Sequence, residues 1–209
     1  MTLPDLSDIE RNAEEIVRGV GLETIGVYRF LFNEFARGAI IENYVFQFTY
    51  RSFYRIDNAG LTPEFKRRYF ALMDDARDRN DVNIPALARE LFILPNRKGQ
   101  QSLQFSFITK LVNTVNPQYP IYDAEVASFF GFRAPYNYKS FEVRLTEYMA
   151  FYAKLRDIYA AIIHRNLLLQ PRQLFREKYA VTTDHVPEIK VLDFIFWSAG
   201  KLSLEAEQL

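Results

Sequence analysis

Apolar residues return every three or four positions along almost the whole chain, and the interruptions fall at residues that start or stop helices. This constrains the fold more than any other feature, because a stripe of that period cannot lie on one face of a strand. Asp8 to Val20 carries Ile9, Ala13, Ile16, Val17 and Val20 on one face, with Gly19 and Gly21 as its stop. Residues 22–37 continue with Ile25, Tyr28, Phe32 and Phe35, ending at Gly38. Thr62-Pro63 places proline at the first helical position behind an N-cap and launches a helix from Glu64 to about Arg79. Asn83 with Pro85 starts a short helix to Phe92, and Leu94 to Gly99 forms a turn. Gln101–Val115 is the next helix, stopped by Asn116-Pro117. Asp123 caps another through Phe130, with Gly131 just past its end. Ser140 caps a long helix to about Leu169, broken at Pro171, and residues 172–179 form a short one. The last runs from Pro187 or Glu188 through Trp197 and is closed by Gly200.

The expectation is therefore an all-α chain, a single compact helical unit over 1–209. Its two lobes would be 1–60 plus 131–209 and 61–130. One segment has two readings. Phe46, Phe48 and Tyr50 alternate as in a strand, whereas Phe46, Tyr50, Phe53 and Tyr54 fit a helix. Helix is favoured because the stripe persists past Arg51 and nothing nearby pairs as a second strand; a minor strand near 44–50 is the competing reading.

Composition prunes the chemistry. At 49% hydrophobic and 25% charged, the chain has globular composition. No apolar run reaches the roughly 18 residues of a membrane span, and the N-terminus lacks the basic and apolar regions of a signal peptide. Zero Cys removes disulfides, thiolate nucleophiles and Cys-ligated metals, which fits a reducing, cytoplasmic setting. With only His164 and His185, a histidine metal site or nucleophilic triad is not expected. His164, inside an apolar helix, reads as a packed core or boundary residue, and His185 as solvated. No phosphate-binding glycine loop or nucleophile elbow occurs, so no metal and no cofactor is expected. What remains is carboxylate chemistry.

Lys+Arg and Asp+Glu balance at 26 each, so no global basic field announces nucleic acid. The balance is uneven along the chain. Residues 1–60 carry 6 basic and 9 acidic groups, and residues 61–120 carry 9 and 6. Leu91 to Tyr122 contains Arg97, Lys98 and Lys110 and no acid; the first acid after it is Asp123. Such a stretch suits either a phosphate backbone or a solvated face. Tyr50 to Gly60 interleaves aromatics and arginines, which suits either nucleic acid or an amphipathic helix whose arginine stems cover the core; Lys66-Arg67-Arg68 and Arg172, Arg176 and Lys178 form further basic groups that suit an anionic partner or a solvated face.

Asp123 stands in Ile121-Tyr122-Asp123-Ala124-Glu125-Val126. At a helix N-terminus an aspartate is held ionised by the helix dipole, and its bland role is an N-cap worth about 1 kcal/mol. The longer segment LPNRKGQQSLQFSFITKLVNTVNPQYPIYDAEV resembles the core of the helix-hairpin-helix DNA glycosylase superfamily, the endonuclease III-like group. There a Leu-Pro-Gly-x-Gly hairpin leads into a helix, and an aspartate follows at the head of the next one. Leu94-Pro95 looks like the start of the hairpin and Ser102–Val115 like its helix. The resemblance covers residues 91–132. The hairpin glycines are replaced by Asn96-Arg97-Lys98-Gly99, and the lysine of strand-cleaving members falls on Phe105.

The resemblance implies a two-lobed helical fold whose cleft holds the aspartate. It also implies a monofunctional glycosylase that hydrolyses the N-glycosidic bond of a flipped base without a Schiff base. Asp123 would be the catalytic carboxylate, and Arg97, Lys98, Gln100, Gln101 and Lys110 would contact DNA. Phe105 and Tyr122 would line the base pocket, while Gln104 and Asn113 could serve a phosphate or an orphan base. The alternative is a non-catalytic helical DNA-binding or protein-interaction module.

Overall fold

A computed structural model describes residues 5–77, 79 and 82–206. Among them all regular structure is helical, and the sole extended pairing is an isolated antiparallel bridge between Leu61 and Asn96.

The first expected helix is two. α1 (Ser7–Arg11) and α2 (Ala13–Val20) meet at Asn12, whose φ of −105° and ψ of 21° lie outside the helical region. Gly21 (φ 80°) then separates α2 from α3 (Leu22–Arg37) in a single residue. The ambiguous segment is α4 (Tyr44–Phe53) and not a strand. Asn43 decides it: its side chain accepts from the Phe46 N–H at 3.0 Å, and Phe46 and Tyr50, one turn apart, are both wholly buried.

α5 (Pro63–Arg77) starts at Thr62, whose hydroxyl accepts from the Phe65 N–H at 3.2 Å. α6 (Ile84–Phe92) starts at Asn83 in the same way. α7 begins only at Phe105 and runs to Val115, so residues 101–104, expected as helix, are not. α8 (Ala124–Phe129) follows Asp123, and α9 (Phe141–His164) follows Ser140. α10 (Leu169–Tyr179) takes Pro171 into its first turn, where a missing N–H costs nothing, so the proline begins a helix instead of breaking one. His164 is exposed at the end of α9, not packed in the core.

α11 (Glu188–Ala206) does not stop at Gly200. A Cβ there would collide with the Glu125 backbone carbonyl, and one at Gly19 would lie 2.6 Å from the Ser198 hydroxyl oxygen. These glycines allow close approach of helices rather than termination. α11 packs on α8, α2 and α10 and forms the centre of the fold, with Val191, Leu192, Ile195 and Phe196 fully buried. α5, α6 and α7 pack on one another, and α4 packs on α3. α8, grouped by sequence with 61–130, instead sits on α11, with Phe129 and Phe130 against Phe196. The segment 116–123 thus crosses from one helix group to the other, carrying Asp123 at its end.

Candidate functional site

The crossing segment is pinned on both sides. The Ile121 N–H donates to Asp193 Oδ1 at 3.0 Å, and the Tyr122 N–H donates to the Thr109 hydroxyl at 3.1 Å. Tyr152 donates to the Pro120 carbonyl at 2.7 Å, and the buried Asn113 amide donates to that of Tyr119 at 2.7 Å. Asn113 therefore braces the backbone and is not available to a phosphate or base. α7, α9 and α11 together fix where Asp123 emerges.

Asp123 has a divided carboxylate. Oδ1 accepts from the Glu125 N–H at 3.2 Å, the cap of α8. Oδ2 lies 3.2 Å from Lys110 Nζ, which also donates to the Ser106 hydroxyl at 3.0 Å. The capping role and an ion pair thus coexist on one side chain. Asp123 and Lys110 lie on the wall of a cavity of about 550 Å³ between α4, α7, α8 and α11. Its aromatic lining includes Tyr54, Phe107, Tyr122, Phe194 and Trp197. That is the size and character of a small-molecule site.

A second lysine–aspartate pair also lines the cavity. Lys190 and Asp193, one turn apart on α11, are both about 96% buried, with Nζ 3.7 Å from Oδ2. Asp193 Oδ1 accepts from Ile121 and from the Tyr159 hydroxyl, while Oδ2 has no hydrogen-bond partner among the described residues. Burial pushes the Asp193 carboxyl up to about 6 against the opposing pull of Lys190. Burial likewise pulls Lys190 below the usual lysine value, and Asp193 opposes it. Its ammonium lies 4.8, 5.2 and 5.9 Å from the ring centroids of Phe194, Tyr28 and Tyr54. Burial raises the Tyr54 and Tyr122 hydroxyls well above the ordinary tyrosine value, so both stay neutral donors.

The expected site residues divide. Asp123, Lys110 and Tyr122 meet at the cavity. Lys110 is not a surface phosphate contact, because it is buried and ion-paired. Phe105 is not in the pocket: it is 1% exposed and stacks on Tyr148 in the core at 4.7 Å, with Tyr122 edge-on to both rings. Arg97, Lys98, Gln100 and Gln101 are exposed and none lines the cavity.

The turn they occupy is self-satisfied. The Lys98 and Gln100 N–H groups donate to the Asn96 side chain at 2.9 and 3.0 Å. Gly99 donates to the Asn96 carbonyl at 2.9 Å and Arg97 to that of Gly60 at 2.8 Å. These backbone donors are therefore committed inside the protein, and a phosphate here would meet side chains only.

Other basic groups are also spoken for. Lys66 and Arg51 pair with Asp57, Arg68 with Glu90, and Arg172 and Arg176 with Glu188. Arg55 and Lys201, by contrast, are exposed members of the cavity lining. Arg55 sits at a left-handed φ of 57° between α4 and the short turn Ile56–Ala59. Sequence reasoning missed Lys190, Asp193, Trp197 and Lys201. Their three-, four- and seven-residue spacing on one face of α11 was visible, but an apolar terminal helix reads as core.

No group of three or more potential metal ligands occurs among the described residues, and no described helix is long and apolar enough to cross a membrane. Comparison with known protein families, curated proteins and solved structures finds no match to this chain.

Proposed function

We propose that this chain acts on DNA as a monofunctional glycosylase of helix-hairpin-helix type, hydrolysing the N-glycosidic bond of a base received in the cavity beside Asp123. The observation that carries the reading is the Asp123 carboxylate, oriented by its own helix and by Lys110 on the wall of an aromatic-lined cavity. The sequence resemblance over residues 91–132 adds to it.

In this reading a base leaves the duplex stack and enters between the cavity rings. As the bond to C1′ breaks, positive charge develops on the sugar, and the Asp123 carboxylate stabilises it. Water adds to C1′ and gives up a proton, while the departing base gains one, leaving an abasic sugar. Lys110 is a positioning residue: its ammonium lies 3.2 Å from Asp123 Oδ2 and is itself held by Ser106. Arg55 and Lys201 meet the phosphates flanking the flipped nucleotide, and Arg97 and Lys98 add more distant side-chain contacts.

The committed amides of the Asn96 turn favour the second reading, a non-catalytic DNA-binding or interaction module. The deciding experiment offers purified protein duplexes containing uracil, oxidised, alkylated or mismatched bases. Release of an abasic product that disappears in Asp123→Asn supports the glycosylase. No product from any duplex, together with DNA binding that Asp123→Asn leaves intact, supports the module. Absence of salt-dependent DNA binding overturns both DNA readings.

A further inference from the structure

Lys190 is 3% exposed, and its ammonium lies 3.7 Å from Asp193 Oδ2 on the wall of the cavity. That distance is beyond hydrogen-bond length. Asp193 Oδ1 is anchored by the Ile121 N–H and the Tyr159 hydroxyl, which leaves Oδ2 toward Lys190. Lys110 differs, having both Asp123 and Ser106 as partners. An ammonium has three donors and one carboxylate oxygen beside it here, and Lys190 lines the same cavity as Phe194 and Trp197, where a ligand oxygen can accept from it.

We propose that Lys190 is a specificity-determining residue that selects a flat heteroaromatic ring carrying an exocyclic carbonyl, a keto-type nucleobase, over a ring carrying an amino group there. The aromatic walls favour a planar ligand by stacking. The carbonyl oxygen accepts from the ammonium, whereas an amino group would set donor against donor with a positive charge behind one of them. Asp193 holds Lys190 in place and offsets its charge. This inference rests on reading the cavity as a base pocket.

Hypoxanthine and adenine share a purine frame and differ at this group, so they are the probes. Trp197 is the chain's single Trp and lines the cavity, so its fluorescence reports occupancy; equilibrium dialysis gives an independent affinity. Hypoxanthine is expected to bind roughly ten- to hundredfold tighter than adenine, the span of one hydrogen bond to a charged donor. Lys190→Met should abolish the preference and Lys190→Arg should retain much of it. Equal affinities, tighter adenine, no binding of either base, or a preference that survives Lys190→Met overturns the proposal. If Lys190→Met does not fold, the comparison in the unaltered protein decides alone. Base preference without excision from any duplex overturns the glycosylase reading and leaves this one standing; excision without base preference does the reverse.

Discussion

Two lysine–aspartate pairs face the same cavity, and they differ in what surrounds them. Lys110–Asp123 joins two elements at 3.2 Å with side chains 10% and 19% exposed. Lys190–Asp193 lies within one helix at 3.7 Å with both side chains 4% exposed. In the first, each charge has a second hydrogen-bond partner and some access to solvent. In the second, burial dominates and moves both groups toward neutrality. The same two residue types thus form an outer pair whose members each have a second hydrogen-bond partner and an inner pair that is almost wholly desolvated.

Mutations of the two aspartates should break this symmetry most clearly. Asp123→Asn keeps an N-capping oxygen but loses the charge. On the glycosylase reading it should lower base-excision rates by about 10²–10³-fold. By removing the charge opposite the buried Lys110 it should also cost about 1–2 kcal/mol, less than the inner pair; single-turnover kinetics and urea unfolding measure the two. Asp193→Ala should do the opposite first. It strands a buried lysine, the Ile121 N–H and the Tyr159 hydroxyl, and should cost about 3–5 kcal/mol in urea unfolding. A stable Asp193→Ala protein would contradict the structural role assigned to the inner pair.

Gly200→Ala tests the contact that places Asp123. The added methyl meets the Glu125 carbonyl, and overpacking of this kind costs about 1–3 kcal/mol. Thermal unfolding should show the loss, and on the glycosylase reading excision should weaken as α8 shifts.

The inner pair also carries a pH signature. The Asp193 carboxyl is raised from 3.8 to about 6, so between those values the unfolded chain releases its proton first. Its contribution to stability is therefore fully present below about pH 3.8 and is lost as pH rises through about 6. Asp193→Asn should remove that fall. Burial opposes the shift at Asp57 and Glu188, but their cationic partners move both carboxyls downward, so they act in the opposite sense, losing their contribution as pH falls below their ordinary carboxylate values. Unfolding free energies measured at intervals of pH separate the two behaviours.

The smallest effect concerns the exposed basic residues. Replacing Arg97 and Lys98 with Ala should change the slope of log DNA affinity against log salt by less than about 1. The same double replacement of Arg55 and Lys201 should change it more, because those two line the cavity. The reverse order would move the DNA path to the Asn96 turn.

Much of the helical order was legible because caps are local. Asn83, Thr62, Ser140 and Asp123 each hydrogen-bond to an N–H two or three residues on, so a few neighbouring residues reveal them. The charged partner of Asp123 was not legible. Lys110 stands thirteen residues before it, and only the return of 116–123 across α7 brings the two within 3.2 Å. Phe105 failed as a pocket residue for the same reason: closeness in sequence to Asp123 did not reveal which face of α7 the core would claim.

Gly200 gives the clearest division. Its position near the end of an apolar run makes it a helix stop by local rules, yet α11 continues to Ala206 because the glycine lets α8 approach. The sequence by itself determined an all-helical chain and the aspartate at the head of α8, since periodicity and capping act over a few residues. The tertiary structure alone decided that Asp123 would share a cavity with Lys110, Lys190 and Asp193. Burial and close approach are properties of helices meeting across the chain, and no short stretch of residues encodes them.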